Sequence, residues 1–559
     1  MTTPNAPEDP ATQRFPVLTG EQLDRLRRYG SDDTVRSGEV LFRTGQPTYD
    51  FIALTTASAQ IYREATTGQP EAIIATCTPG QFLGELNLLT GQSVYLSTRI
   101  VHGGGIIRIP PRDFRRLMDE DTELSDLILT AFLARRADLQ SGEGALSVRI
   151  LGSALSRESL ALRTWAARNR IAHTWFDIDT DAGRALADAA HIAADQLPTV
   201  VLPTVVITEA TPATVAHELG LTYSPTAPSD EVVDVVVVGA GPAGLAAAVY
   251  GASEGLTTVV FEAVGVGGQA AASSRIENYL GFEHGISGTE LTGRATVQAL
   301  KFGARVNSPC TICSVKRVGS YFEVTLNDGA VAATRAVVLA TGARYRTLNL
   351  PRRGDFERRG IYYAATGIEA RACATAPVAV VGGANSAGQA ALFLAGQGSP
   401  VSLVVRAADL FTGMSAYLAR RIIADPAITV LLGSEVTALA GDERLEQITV
   451  TNRASGEAQQ LPCVGLFCFI GADPKTEWLS GILTDADGFI RTDSALGPAL
   501  PDDIWTEIGR GPLPFETSEP GIFAIGDVRA GSMKRVAAAV GDGASCIRSV
   551  HRFIGSAGM

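Results

Sequence analysis

The stretch EVVDVVVVGAGPAGLAAAVYGASEGLTTVVFE, residues 231–262, decides the fold. An apolar, β-branched run ends at Gly239 and an alanine-rich helix follows directly. Between them Gly239, Gly241 and Gly244 form G-x-G-x-x-G. The first glycine makes the tight turn, the second lets the backbone approach a pyrophosphate, and the third packs helix against strand. Pro242 and Ala243 open that helix, whose positive N-terminus faces the phosphates. Glu262 lies 23 residues after Gly239, at the end of the next strand, where an acid binds ribose hydroxyls. The apolar run Val232–Ala252 is long enough to raise the question of a membrane span. Asp234 at its start and Gly239, Gly241, Pro242 and Gly244 within it argue instead for a buried strand, a turn and a buried helix.

A second unit of the same kind is nested further along, in APVAVVGGANSAGQAALFLAGQGSPVSLVVR, residues 376–406. Gly382, Ala384 and Ala387 hold its three fingerprint positions, with Gly383 in the turn and Asn385 and Ser386 opening the helix. A methyl at Ala384 pushes the backbone away from a pyrophosphate, so looser or shifted binding is expected. The second strand ends in Arg406 rather than an acid. Arginine pairs with a 2′-phosphate, which favours NADPH over NADH.

Outside the first fingerprint, three more segments carry a family likeness. VGGQAAASSRIENYLGF (266–282) resembles the flavin-contacting segment of thioredoxin reductases. The resemblance implies that Gly267, Gly268, Gln269, Glu277 and Asn278 face FAD. AVVLATGARYR (336–346) resembles the strand that returns to the dinucleotide, through Ala340, Thr341 and Gly342. GIFAIGDVRAGSMKRVAAAVGDGAS (521–545) resembles the C-terminal FAD motif. There Gly526 and Asp527 would meet the ribitol, and a helix beginning near Arg535 and Val536 would point at the flavin ring. Thioredoxin reductases carry two adjacent arginines where this chain has Arg406 and Ala407; Arg420 and Arg421 are candidates to compensate. The resemblance also implies a nicotinamide unit that rotates, with a hinge near 348–378 and 475–495, and a homodimer.

One part of that likeness is missing. Thioredoxin reductases hold a Cys-x-x-Cys just before the second fingerprint, and the corresponding positions here are Ala364 and Gly367. Neither forms a thiolate, so disulfide exchange at that place is chemically excluded. Cys373 follows without a partner and reads as a packing residue. The other Cys-x-x-Cys, Cys310 and Cys313, reads as strand, on which residues three apart point to opposite faces. Cys463 and Cys468 flank VGLF and read as core.

The N-terminal half holds two smaller modules. Residues 1–140 read as short strands, then helices. PGQFLGELNLLTGQSVYLSTRIV (79–101) resembles the phosphate cassette of cyclic-nucleotide-binding domains, with Gly84 and Glu85 in the ribose-and-phosphate positions. The expected arginine is absent: Val94 or Tyr95 stands there, and Arg99 lies too far along. A cyclic nucleotide is one candidate ligand, and a ligandless packing or dimerisation module is the alternative. SGEGALS (141–147) reads as a linker. Residues 148–223 alternate strand and helix and resemble a thioredoxin or glutaredoxin fold, with Leu197-Pro198-Thr199 where that family keeps a cis-proline. Its active-site cysteines would fall near Ser153 to Glu158, where there are none, so a docking or structural role is expected. SPTAPSD (224–230) reads as a second linker. The fold class is therefore multidomain α/β. A β-roll cyclic-nucleotide-binding-like domain and a thioredoxin-like α/β domain precede two nested Rossmann-like domains, an FAD domain at 231–348 and 490–559 and an NAD(P) domain at 349–489.

Composition narrows the function. A chain of 559 residues with net charge −12 is a poor bulk binder of nucleic acid. Seven irregularly spaced cysteines and no signal-like N-terminus point to a reducing, cytoplasmic setting without a membrane span. The expectation is an FAD-dependent NAD(P)H oxidoreductase that passes electrons to an unidentified small-molecule or protein acceptor. The cofactors carry that chemistry, so no side chain is named as catalytic and no metal is expected. Two alternatives stay open: disulfide reduction through an atypical cysteine or a partner's thiols, and a redox or nucleotide sensor with little turnover.

Overall fold

The computed structural model describes residues 13–66, 69–223, 232–273, 275–357, 359–363, 365, 367–373, 375–499, 505–506 and 508–556. The segment 224–230 and Ala364 lie outside them.

In the first module, short amphipathic strands form two four-stranded antiparallel sheets. One runs in the order Ser31–Val35, Gly104–Ile109, Phe51–Leu54, Phe82–Leu83; the other is Val40–Phe42, Ser97–His102, Ser58–Arg63, Ala72–Cys77. The helical region that follows is broken at Asp121, whose carboxylate accepts the Leu124 N–H and caps helix α1 (Thr122–Ser141). Phe132 of α1 joins Phe51, Phe82 and Phe114 in the core. The stretch expected as a linker at 141–147 is structured. α1 runs to Ser141, a 3₁₀ turn covers Glu143–Ser147, and Ala145 and Ser147 are buried. Small residues there let the turn pack against the first module's strands Ser58–Arg63 and Ala72–Cys77 instead of standing off them.

The middle module has the sheet order Thr174–Asp177, Arg149–Gly152, Thr199–Val201, Val206–Ile207. Its first pair is parallel and the others antiparallel. Helix α2 (Arg157–Arg168) crosses between the first two strands, and the Leu197–Pro198 peptide is cis.

In the C-terminal half, the valine run forms β1 (Val233–Val238), followed by α3 (Pro242–Ser253) and β2 (Thr258–Phe261). β1 lies between β2 and β3 (Val331–Leu339), parallel to both, with each inward side chain fully covered. Helix α4 (Gly288–Lys301) lies between β2 and β3 in sequence. The second unit repeats the plan with β4 (Val378–Val381), α5 (Asn385–Gly396), β5 (Val401–Val404) and α6 (Ala416–Ala424). Its five-stranded sheet is wholly parallel. The chain then returns to the first unit, adding β6 (Ile522–Ala524) beside β3 and a final helix α7 (Val536–Ser556) across α3.

The two units are joined by an antiparallel ribbon, Ala343–Tyr345 with Ala472–Pro474. Trp478, Leu479 and Ile482 pack beyond it onto the first unit's core. The chain therefore crosses back at this ribbon, and by Trp478 it already packs with the first unit. The cause is apolar: these side chains find their burial on the first sheet. Among the described residues no helix is long and apolar enough to cross a membrane.

Candidate functional site

The first cradle is built from backbone contacts that only small residues permit. Gly239 has φ +108°, and a Cβ on it would stand 2.4 Å from the Ala340 carbonyl oxygen. A Cβ on Gly244 would lie 1.9 Å from the Gly239 oxygen, so α3 can pack against its own turn only through glycine. At Gly241 a Cβ would meet only Gly268 Cα, at 3.9 Å. That is the open ground a diphosphate needs, at the start of a helix whose first N–H groups lack intrahelical partners.

The segment after β2 closes over this turn. The Gly267 N–H donates to the Ala240 carbonyl at 2.7 Å, and Gly267 and Gly268 both have positive φ. Gln269 Nε2 donates to the Ala343 carbonyl at the domain ribbon. Glu262 accepts the Ala240 N–H at 2.8 Å on one oxygen and those of Val264 and Gly265 on the other, at 2.9 and 3.3 Å. Its carboxylate is thus oriented beside the cradle. Thr341 donates to the Lys475 carbonyl, and Gly342 has φ +66°.

The C-terminal motif meets the same place. A Cβ on Gly526 would be 2.8 Å from the Ala243 Cβ, and one on Gly543 of α7 would be 2.2 Å from the Ala243 oxygen. α7 begins at Val536, directly after the exposed Arg535. Burial pushes the Asp527 carboxyl above its usual range, Lys534 opposing and Asp542 reinforcing the shift. The fold therefore brings Gly239, Gly241, Ala243, Gly244, Glu262, Gly267, Gly268 and Gly526 together at one turn. Asn278 is exposed. Glu277 is drawn elsewhere: it accepts from Tyr417 and Arg421 of α6, across the interface between the two units.

The second cradle has the same form with a tighter mouth. A Cβ on Gly382 would be 2.4 Å from the Phe469 oxygen and 3.0 Å from the Ala387 Cβ. Ala384 adopts extended backbone at the helix N-cap, and Ala384 and Ser386 are exposed. Asn385 is used structurally, its Oδ1 accepting the Ser415 N–H at 2.7 Å. Arg406 is exposed after β5 and has no ion pair among the described residues. Arg421 is engaged by Glu277 at 3.0 Å.

All seven cysteines are free thiols, and only Cys313 is exposed. Burial pushes Cys310 and Cys373 up to about 11, and Cys463 and Cys468 to about 12. Ala365 forms a parallel bridge with Ser273, so this stretch lies against the segment that follows Gln269. Among the described residues no His, Cys, Asp and Glu cluster could hold a metal ion.

In the roll, Gly84 and Glu85 line a cavity of about 70 Å³. Two arginines of α1 escaped the sequence reading: Arg135, which lines it, and Arg136, which pairs with Glu85. Adjacent arginines inside an otherwise apolar helical pattern were the available signal.

Comparison with known proteins matches these two sites to two families. A model described as pyridine nucleotide-disulphide oxidoreductase matches residues 233–543, and one described as cyclic nucleotide-binding domain matches 33–121. A thioredoxin reductase of Streptomyces coelicolor is 33% identical over 326 residues, covering 58% of this chain and 94% of that protein. An NADH dehydrogenase of Bacillus subtilis is 31% identical over 317 residues, covering 56% of this chain and 57% of that protein. The crystal structure of T. acidophilum thioredoxin reductase superposes with TM-score 0.52 at 27% identity, over 58% of this chain and 99% of that one.

Proposed function

We propose, from the premise that this chain belongs to the pyridine nucleotide-disulphide oxidoreductase family, that it is an FAD-dependent NAD(P)H oxidoreductase whose electrons leave the flavin without an active-site disulfide. The observation that carries the reading is the pair Ala364 and Gly367. They stand where the resembling reductases keep their cysteines, and neither has a sulfur atom. The raised thiols of Cys310 and Cys373 support it, since a buried neutral thiol is a poor nucleophile.

Bound FAD and nicotinamide supply the two-electron hydride chemistry. The chain's own residues supply position and charge. Gly241 and the start of α3 take the FAD pyrophosphate, and Glu262 orients toward ribose hydroxyls. Gly267, Gly268 and Gln269 form the wall of the groove. Asp527 and the start of α7 hold the ribitol and the ring end. In the second unit the turn Gly382, Gly383, Ala384 and the start of α5 take the nicotinamide nucleotide, with Arg406 at a 2′-phosphate. That places NADPH ahead of NADH.

The middle module's sheet order supports a thioredoxin-like docking domain without its own cysteines. We take the working form to be a cytoplasmic homodimer, consistent with seven free thiols. A second reading, reduction of a partner's disulfide, is favoured by the likeness to thioredoxin reductases. The likeness to an NADH dehydrogenase favours the first.

Anaerobic stopped-flow of the flavin-loaded protein with NADPH and NADH, followed by an acceptor panel and thiol titration, separates the two. Flavin bleaching with no new thiol per FAD, and turnover with a quinone or other small oxidant, is the expected result. One new pair of thiols per FAD overturns it.

A further inference from the structure

The roll's cavity has lost what a cyclic nucleotide needs. Both Glu85 oxygens are taken by Arg136, and one also accepts the Asn87 N–H at 3.2 Å, so little remains for a ribose. Val94 and Tyr95, at the place of the missing phosphate arginine, are buried, and the Tyr95 hydroxyl is spent on Gln92 at 2.8 Å. Arg99 pairs with Glu71 at 2.9 Å and does not line the cavity.

What remains has a different chemistry. Phe42, Ile61, Ile74, Val94, Leu96 and Leu139 make apolar walls. Among the charged groups on the lining, Arg14 pairs with Asp138 at 2.8 Å and Glu85 pairs with Arg136. Arg135 has no carboxylate partner among the described residues. Its guanidinium donates only to the backbone oxygens of Arg14, Gly84 and Phe82, at 2.7, 2.6 and 3.0 Å. An arginine carries five N–H donors, so donors remain. Arg135 thus carries a buried positive charge with no ion pair among the described residues, its guanidinium lying over the Phe15 and Phe82 rings at 4.7 and 4.5 Å. Such a charge is costly in an apolar wall unless an anion meets it. On the same lining the Thr98 hydroxyl is fully buried and has no hydrogen-bond partner.

We propose that this cavity binds a small apolar monocarboxylate rather than a cyclic nucleotide, its carboxylate on Arg135 and Thr98 and its apolar body between Phe42, Ile61, Val94 and Leu96. The cavity volume, about 70 Å³, sets the ligand small. The charge of the carboxylate selects for it, because a neutral alcohol of equal length leaves Arg135 without a counter-ion. The site is separate from both nucleotide cradles, so the proposal stands or falls independently of the reaction.

The test is calorimetric titration of the full-length, flavin-loaded protein with sodium octanoate, sodium benzoate, 1-octanol, octylamine and cyclic AMP. Octanoate or benzoate is expected to bind saturably at one site per chain. Either acid should bind at least tenfold tighter than octanol, with no heat from octylamine or cyclic AMP. Thr98→Val keeps the shape of the side chain and should weaken acid binding about tenfold by removing one hydrogen bond to a charged group. Arg135→Gln should abolish it; if that variant fails to fold, Thr98→Val carries the test. Octanol binding as tightly as octanoate, cyclic AMP binding more tightly than either acid, no binding of either acid, or unchanged affinity in Thr98→Val each overturns the proposal.

Discussion

Arg421 donates to both carboxylate oxygens of Glu277, at 3.0 and 3.3 Å, and so ties the second nucleotide unit to the segment beside the first cradle. Tyr417 adds a third contact to the same carboxylate at 3.1 Å. Together with the bridge between Ser273 and Ala365, this holds the two units in one relative arrangement. The Arg421 and Glu277 side chains are 42% and 26% exposed, so the pair is worth about 0.2–1 kcal/mol.

A swing of the second unit, which the resemblance to thioredoxin reductases implies, would have to break this contact. Glu277→Gln should therefore speed flavin reduction by NADPH about two- to fivefold in stopped-flow. Raising the salt concentration should narrow the difference, because the pair is screened. A variant that reduces more slowly than the parent would show that the contact belongs to the productive arrangement.

Gly241 and Gly244 should fail in different ways. Gly241→Ala has room for its methyl in the protein and meets only the diphosphate. It should fold with its thermal stability in the flavin-free form unchanged, yet lose most of its flavin absorbance relative to protein absorbance. Gly244→Ala drives a methyl to 1.9 Å from the Gly239 oxygen and should be recovered poorly or not at all. Equal flavin content in the parent and in Gly241→Ala would contradict the assignment of the cradle.

Alkylation reports on the thiols. At pH 8 a thiol pushed up to about 11 is ionised in roughly one molecule per thousand, so Cys310 and Cys373 should resist iodoacetamide. Mass spectrometry should find the exposed Cys313 modified first. Raising the pH toward 11 increases the thiolate fraction and should bring the buried pair into reaction. Cys373→Ala should cost about 1–2 kcal/mol of stability, through lost packing against Gly465, and leave turnover unchanged.

Arg406 is tested by charge reversal. Arg406→Glu should lower kcat/KM for NADPH about 10- to 100-fold and leave that for NADH within a few-fold, because a carboxylate repels only the 2′-phosphate. Parallel losses with both nucleotides would assign Arg406 to folding rather than to selection.

The nucleotide cradles were legible because each depends on steric facts local to a few residues. Gly239, Gly241 and Gly244 follow a strand and precede a helix, and backbone contacts of 1.9–2.4 Å at the first and third positions admit no side chain. The C-terminal helix was legible too, and begins at Val536 as expected. The 141–147 stretch misled, since its small, polar composition reads as a linker whether or not neighbours cover it. Cys310 and Cys313 do not share a strand as expected: Cys313 lies on the strand Ile312–Val318 and is exposed, while Cys310 sits buried in the loop before it.

The sequence alone determined the two mononucleotide turns, their order and the absence of sulfur at Ala364 and Gly367, since these need only local backbone geometry and residue identity. Only the tertiary structure decided that Glu277 serves the domain interface, that Arg421 pairs with it there, and that Arg135 has no ion-pair partner among the described residues of the roll. Each of those turns on which groups meet across more than 50 residues of intervening chain, as Arg421 meets Glu277 across 144. Pairing of charges at such separations follows from packing, and local pattern carries no record of it.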